Sequence, residues 1–226
     1  MGVGRIAFRT GRRHDPRTSA RARHEIRGSG QSYDFGFGPV AASRHRNPDG
    51  TLGGWVALTA HADAESYVAD AATVFDNARV FGESHVLGRA RVFDYARVTD
   101  GSVVAGDAVV AGSVSVSGAT VSEGAEVTGH ARVERATVRG GALVTDSASV
   151  NRGAIVQDRA VVRGNGFVTD GAVVAGTTVV EGPVRGDVIV LDAHVVDEEL
   201  TESDESDDIE LEIAPAPDEV GSPTRI

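Results

Sequence analysis

Residues 72–101 read ATVFDN ARVFGE SHVLGR ARVFDY ARVTDG, five consecutive units of six residues with valine at the third position of each. The same marker recurs from Val68 to Val196, which makes 23 repeats in which the valine never changes. The residue two places before it is nearly always small, and Gly or Asp usually stands two places after it. A fixed short period of this kind is typical of a repeat architecture.

The unit small-x-Val-x-Gly/Asp-x describes one short strand and one corner. On an extended strand the small residue and the valine point to the same side, which we assign to the interior. Gly takes positive φ without steric cost, and Asp tolerates it by bonding nearby backbone, so both suit a corner. A β-branched residue at a period of six fits no helical stripe. The pattern predicts an all-β protein, a single-stranded parallel β-helix of triangular cross-section with about eight coils and a length of roughly 35–40 Å.

The period shortens at three places. These steps run from Val116 to Val121, from Val133 to Val138 and from Val180 to Val184. We interpret each of them as a shortened corner. Because none is an insertion, no long loop is expected to leave the shaft.

Charge divides the chain into three regions. Residues 1–50 hold 10 Arg and 4 acidic residues, residues 51–196 hold 11 Arg and 17 acidic residues, and residues 197–226 hold 1 Arg and 12 acidic residues. We predict a basic, largely disordered arm (1–50), the hexapeptide-repeat β-helix (51–196) and an acidic, disordered tail (197–226). Nucleic acid requires a positive field, so a contact with it is expected only through the Arg-rich arm.

The chain has no cysteine, which excludes disulfides and thiolate metal sites. Its longest apolar stretches span only a few residues, so no membrane span or signal peptide is predicted. These features favour a cytoplasmic protein.

The repeats from about residue 54 to residue 196 resemble the bacterial transferase hexapeptide superfamily, whose members form left-handed β-helices. The segment Leu52-Gly53-Gly54-Trp55 and the first repeats after it resemble bacterial and phage hexapeptide proteins that are often labelled acetyltransferases on fold alone. The resemblance implies left-handed winding. For the enzymes it also implies a trimer, a histidine base and acetyl-CoA lying along the shaft between subunits. In those enzymes a protruding loop and a C-terminal helix complete the site. This sequence has no inserted loop, and an acidic tail stands where the helix would be.

His85 and His130 are the catalytic candidates that an acyltransferase interpretation would use. His85 precedes Val86 and is expected to face outward, and His130 lies at a corner. His194 stands at an inward position of the last repeat. The related γ-class carbonic anhydrases bind zinc through three histidines, two of them close in sequence. The shaft histidines here include no close pair, so no metal site is predicted.

One outward-facing set of side chains favours binding. Phe75 and Phe93 are three repeats apart, as are Arg79 and Arg97, so each pair should stack on adjacent coils, with Phe81 nearby. An aromatic and arginine ladder is typical of an interface with a subunit or partner. Alternatively, the N-terminal arm folds back over the ladder through Phe35 and Phe37.

Three functions remain open from the sequence. The first is a non-catalytic β-solenoid without a cofactor, serving as a structural, oligomerising or partner-binding shaft. The second is a trimeric acyl-CoA-dependent acetyltransferase, and the third is a polymer-forming, bactofilin-like scaffold. We expect a homo-oligomer, with a trimer favoured. The open edges of the shaft need capping. We assign Trp55 with the Leu52–Gly54 turn to one end, and the shortened corner at Val184 with the charged tail to the other.

Overall fold

The computed structural model describes residues 31–195, and within them every regular element is a β-strand. The strands form three sheets. The first sheet has 11 strands, in the order β1 (Ser32–Asp34), β2 (Pro39–Arg46), β3 (Leu52–Ala57), β6 (Thr73–Val74), β9 (Arg91–Val92), β12 (Val109–Val110), β15 (Glu126–Val127), β18 (Leu143–Val144), β21 (Val161–Val162), β24 (Val179–Val180) and β27 (His194–Val195).

The other two sheets have 8 strands each. The second sheet contains β4 (His61–Ala62), β7 (Arg79–Val80), β10 (Arg97–Thr99), β13 (Ser115–Ser117), β16 (Arg132–Glu134), β19 (Ser149–Asn151), β22 (Phe167–Val168) and β25 (Pro183–Val184). The third contains β5 (Tyr67–Val68), β8 (His85–Val86), β11 (Val103–Val104), β14 (Thr120–Val121), β17 (Thr137–Val138), β20 (Ile155–Val156), β23 (Val173–Ala175) and β26 (Ile189–Leu191). Since the chain visits the three sheets in turn, the fold is the predicted β-solenoid of about eight coils.

The interior is a stack of valines and small residues. The marker valines from Val68 to Val184 are fully buried and form one core cluster with the alanines two places before them. Neighbouring coils align valine on valine, as in the parallel pairs Val74 with Val92 and Val98 with Val116. The assignment of the small residue and the valine to the interior is therefore confirmed.

The corners combine positive φ with a hydrogen bond to the next coil. Asp94 has φ 59°, and its Oδ2 accepts the N–H of Gly112 at 3.0 Å. Asp158 receives the N–H of Gly176 at 3.0 Å in the same way. At Gly106, with φ 71°, an added Cβ would lie 2.8 Å from a carbonyl oxygen of the next coil, which explains why glycine is used there.

The shortened corners lie where the sequence predicts them, but the last step is different. Val74 pairs with Val92, which defines the length of a regular coil. The coil from Val104 to Val121 contains fewer residues, and the coil from Val168 to Val184 contains fewer still. In the last coil Val180 pairs with Val195, not with Val196, which lies outside the described residues. The inward assignment of His194 is therefore wrong, because a further shortened corner turns its side chain outward.

The predicted boundary at residue 50 is also wrong in part, because residues 32–46 are folded. They form β1 and β2, which pair antiparallel with each other and then with β3. The repeat pattern does not extend into them, so their pairing depends on contacts outside the repeat. The remainder of the predicted arm, residues 1–30, and the predicted tail lie outside the described residues. Within the described range no helix is long and apolar enough to cross a membrane.

The N-terminal end of the stack is closed by residues around β2 and β3, which we call the N-terminal cap (residues 32–57). His45 Nε2 lies 2.9 Å from the carbonyl oxygen of Ser66, and the buried Asn47 accepts the N–H of Val68 at 2.9 Å. A Cβ added at Gly53 or Gly54 would overlap a backbone carbonyl of the first coil. Both glycines therefore let β3 lie directly against that coil. Trp55, predicted as part of an end plug, instead lies on the outer side of the first sheet.

Candidate functional site: the aromatic stack and the arginine face

A tight turn positions the N-terminal cap over the first sheet. Asp34 Oδ1 accepts the N–H groups of Gly36 at 2.7 Å and Gly38 at 2.9 Å. These two hydrogen bonds hold the pKa of Asp34 below its ordinary value. Both glycines have φ near 100°, a conformation that bends the chain sharply between β1 and β2. The turn brings Phe35 down onto the outer surface of the shaft.

Three phenylalanines form what we call the aromatic stack: Phe35, Phe75 and Phe93. The rings of Phe75 and Phe93 are 4.7 Å apart and nearly parallel, at 5°. Phe35 covers the other side of Phe75 at 4.8 Å, which leaves Phe75 only 2% exposed. The sequence left two alternatives for these rings, an interface with a subunit or partner and coverage by the N-terminal arm. In the structure the N-terminal segment covers them through Phe35. Phe37, by contrast, is 76% exposed and 6.4 Å from Phe75.

A second aromatic pair anchors the strands of the cap. Tyr33 stacks on Trp55 at 5.0 Å, and its ring meets Phe35 edge-on at 4.9 Å. The Arg44 guanidinium lies 5.5 Å from the Trp55 ring and pairs with Asp70 of the first coil. Cation–π contact and ion pair together fix β2 against the shaft.

A shallow pocket of about 180 Å³ opens beside the aromatic stack. It is lined by Tyr33, Asp34, Phe35, Ala71, Thr73, Arg89 and Arg91. Arg91 lies 5.4 Å from the Phe75 ring and 5.3 Å from the Phe93 ring. Arg89 makes a two-pronged pair with Asp107, at 2.7 and 2.9 Å. The pocket offers cationic and aromatic groups for binding, and none of the described residues that line it is a histidine that could serve as a base.

The predicted interface ladder is divided between two sides of the shaft. Phe75 and Phe93 belong to the first sheet, whereas Arg79, Arg97 and Phe81 belong to the second. The reason is geometric, since six residues make one side and a step from Phe75 to Phe81 turns a corner. As one continuous surface of five residues the ladder is therefore wrong, although the stacking within each pair is confirmed.

The arginine half of that ladder is exposed, and we call it the arginine face (Arg79, Arg97 and Arg132). Arg79 and Arg97 are direct partners on the neighbouring strands β7 and β10, and Arg132 lies two strands further along the sheet. Within residues 31–195 none of the three makes an ion pair, whereas other arginines of the shaft do. Phe81 flanks the face and contacts the His61 ring at 5.2 Å.

The two candidate catalytic histidines are not brought together. His85 lies exposed on β8 of the third sheet, 5.9 Å from the Tyr67 ring. His130 follows the corner after β15 in a later coil, and its backbone N–H donates to the Asp146 carbonyl at 2.6 Å. Among the described residues no group of three His, Cys, Asp or Glu side chains could hold a metal ion.

Comparisons of the chain with models of protein families, with curated proteins and with solved structures found no match. The resemblance to hexapeptide proteins therefore stays a prediction from the repeat.

The strands β1 and β2 and most of the cap do not follow from the six-residue repeat. One signal could have found them: Tyr33, Phe35 and Phe37 alternate with Asp34 and Gly36, a period of two. The roles of His45 and Asn47 had no such signal, because each bonds a distant backbone group that no repeat relates to it.

Proposed function

We propose that the protein is a non-catalytic β-solenoid shaft that binds an acidic protein surface through its arginine face. The observation that carries the proposal is the direct pairing of Arg79 with Arg97 on neighbouring strands, without an acidic partner in the described chain. Like charges directly opposite each other destabilise a sheet. A carboxylate-rich partner would remove that repulsion and gain charge-assisted hydrogen bonds.

The shape of the shaft supports a binding function over a catalytic one. Within the described residues no coil is longer than the regular step from Val74 to Val92, so each side is flush and no segment projects from it. The acyltransferase alternative requires a histidine base beside an acyl-CoA groove, and neither His85 nor His130 lines the pocket beside the aromatic stack. The aromatic stack is already occupied by Phe35, so its contribution is to hold the cap.

Partner choice follows from charge. The shaft as a whole carries more acidic than basic residues, which disfavours a long polyanion such as nucleic acid. The exposed arginine face is a local positive cluster, which suits a compact carboxylate cluster on a protein. The face flanked by Phe81 adds an aromatic contact of the kind enriched at interfaces. A homo-oligomer and a cytoplasmic location stay predictions of the sequence.

Calorimetry with an oligo-glutamate peptide tests the arginine face. We expect binding at low salt that falls at least about tenfold in the double variant Arg79→Glu/Arg97→Glu. The matched control is Arg152→Glu, which removes an exposed arginine already paired with Asp170. The measurements use a chain without residues 197–226, so that the acidic tail cannot compete. Equal binding by both variants would overturn the proposal.

The catalytic alternative is tested separately. Turnover of acetyl-CoA that is lost in His85→Ala or His130→Ala would contradict a non-catalytic shaft. Size-exclusion chromatography with light scattering measures the oligomeric state. The acyltransferase interpretation requires a trimer, so a monomer would contradict it.

A further inference from the structure

The outer surface of the third sheet is the least charged side of the shaft. We call it the neutral face, and it consists of the residues directly before and after the marker valine on each of the 8 strands from β5 to β26. Arg139 is its one Asp, Glu or Arg residue. The equivalent positions of the first sheet include Arg91, Glu126 and Arg163, and those of the second sheet hold the arginine face. A long surface with so little charge is typical of an interaction site.

Apolar side chains occupy both ends of the neutral face. Val103 is half-buried toward the N-terminal end, and Ile155 and Val173 are half-buried toward the C-terminal end. On the last strand Ile189 is 69% exposed and Leu191 is 60% exposed. Water therefore reaches apolar surface along most of this side of the described chain.

The middle of the neutral face is polar. Thr120 and Thr137 are register partners on the neighbouring strands β14 and β17. The Arg139 guanidinium donates to Gln157 Oε1 at 2.6 and 3.0 Å, which directs this side chain along the surface toward the next coil. The face thus has two apolar ends and an uncharged or internally bonded centre.

The neutral face is large enough for a stable protein contact. Its 8 strands, spaced about 4.8 Å apart on a side roughly 15 Å wide, give a flat area of roughly 500 Å². The relief of the side chains raises the accessible area toward the about 800 Å² that each partner buries in a standard-size interface. Because no coil projects from the described shaft, two such faces can approach along their whole length to about 10 Å, the separation of packed sheets.

We propose that the neutral face is the interface of a symmetric dimer, in which two copies of the chain pack face to face with antiparallel shafts. A two-fold axis along the strand direction, between β14 and β17, lays the whole face on that of the second copy. Val103 of each copy then meets Ile155 of the other, and the polar centres meet at the axis. Both arginine faces stay free, since they lie on the second sheet.

A second copy fits this surface better than an unlike protein does. A face without charge offers no electrostatic pattern by which an unlike partner could be selected. Its own symmetry supplies the match, because apolar ends meet apolar ends and the polar centre meets itself.

Charge at the two ends of the chain favours antiparallel over parallel shafts. Residues 1–50, with 10 Arg and 4 acidic residues, lead into the N-terminal end of the shaft, and residues 197–226, with 1 Arg and 12 acidic residues, follow its C-terminal end. Parallel shafts would start two like-charged segments at the same end, whereas antiparallel shafts start opposite charges there. The antiparallel arrangement also lays Tyr67 on β5 against the exposed Ile189 of the second copy.

Sedimentation equilibrium of the full chain and its variants tests the interface. We expect the wild-type chain to be a dimer, and Ile155→Asp/Val173→Asp to raise its dissociation constant at least about tenfold, because a carboxylate would be buried without a partner. The matched control is Val161→Asp/Val179→Asp, which changes half-buried valines at equivalent positions of the first sheet and should leave the dimer intact.

A second matched pair keeps the test decisive if circular dichroism shows that a double variant is unfolded. Val103→Asp lies on the neutral face, and Val109→Asp lies one side further along the same coil. Equal weakening by both members of a pair would overturn the proposal. A wild-type chain that is monomeric or trimeric would also overturn it, since a face-to-face contact closes with two copies.

Spin labels test the orientation in a chain that has no cysteine of its own. Ala71→Cys and Gly124→Cys place labels at equivalent corners, after β5 and after β14. In antiparallel shafts the distance between the two labels of the dimer should be longer at residue 71 than at residue 124 by more than about 20 Å, since β5 lies far from the axis and β14 beside it. Equal distances would mean parallel shafts and would overturn the proposed arrangement.

Discussion

The two ends of the described solenoid differ in how their strand edges are covered. At the N-terminal end β2 and β3 lie over the first coil, and His45 and Asn47 bond the backbone groups that the first strand of the third sheet would otherwise leave open. At the C-terminal end of the described chain, Pro183 removes a donor from one sheet and β26 leaves the edge of another uncovered. The repeat specifies the interior of the stack, but the residues that close the N-terminal end lie outside the repeat.

This difference has an energetic meaning. A strand edge presents donors and acceptors that invite another chain. Asn47 accepts the N–H of Val68, His45 lies against the Ser66 carbonyl, and the Asn47 amide donates to the Thr51 hydroxyl at 3.1 Å. Two side chains of the cap therefore close an edge from which a whole strand is missing. The cap adds an aromatic cluster to that closure, so the N-terminal end is expected to be the more stable one.

Removing the middle ring of the aromatic stack should weaken the N-terminal end most. We expect Phe75→Ala to lower the free energy of unfolding by about 3–5 kcal/mol, because its buried ring contacts Phe35 on one side and Phe93 on the other. Urea unfolding followed by circular dichroism measures the loss. Fluorescence of Trp55, the only tryptophan, reports whether the cap detaches. Phe37→Ala is the control, and an equal loss there would contradict this account of the stack.

A methyl group added between the cap and the first coil should lower the free energy of unfolding somewhat less than Phe75→Ala does. Gly54→Ala places a Cβ against the carbonyl oxygens of Ala69 and Ala72, so β3 must shift away, at a cost of about 2–3 kcal/mol. Gly124→Ala is matched to it, since its φ is not positive and its nearest contact would be 3.4 Å away. Equal denaturant midpoints for the two variants would contradict the close approach of β3 to the first coil as the reason for glycine at position 54.

Loss of the Asn47 side chain should cost about 2 kcal/mol, because the buried N–H of Val68 would lose its acceptor. Amide exchange at Val68 should accelerate while exchange in the middle coils stays unchanged. Asn77→Ala, at an exposed corner, serves as the comparison. Unchanged exchange at Val68 would mean that another group closes this edge.

Acidification should destabilise the two ends less than any of the substitutions above. The pKa of Asp34 is lowered by the N–H groups of Gly36 and Gly38, and that of Asp192 by the N–H and then the hydroxyl of Thr177. A folded-state pKa below the ordinary value of 3.8 means that the stabilisation is complete above that pH and is lost as pH falls through the lower value. Trp55 fluorescence between about pH 5 and pH 2 should show a transition that Asp34→Asn removes and Asp192→Asn preserves. A transition that persists in Asp34→Asn would assign it to another carboxylate.

Most of the shaft could be predicted from the sequence because the same side chains meet in every coil. Val74 and Val92, or Phe75 and Phe93, are neighbours as soon as three sides of six residues are assumed. The final register could not be predicted in this way, since Val195 and Val196 are adjacent valines and only the packing of the last corner decides between them. The division of the interface ladder could have been predicted, because Phe81 is one repeat beyond Phe75 and therefore lies on the next side.

The cap was beyond prediction for a different reason. Its contacts join residues near 35 to residues near 75 and 91, and no periodicity relates them. The stacking of Arg79 on Arg97, in contrast, follows from the period alone. That neither makes an ion pair within residues 31–195 depends on where each neighbouring acidic side chain points.

The stacking of coils that touch only their immediate neighbours has a mechanical consequence. Tension applied between the two ends would not load all the hydrogen bonds together, because each coil peels away from the one beneath it in turn. A regular coil such as that from Val74 to Val92 releases roughly 55 Å of chain when it opens, after its own thickness is subtracted. When a single molecule is stretched, the shaft should lengthen in regular steps of that size. The coils should open one by one from the C-terminal coil, and the cap should open last.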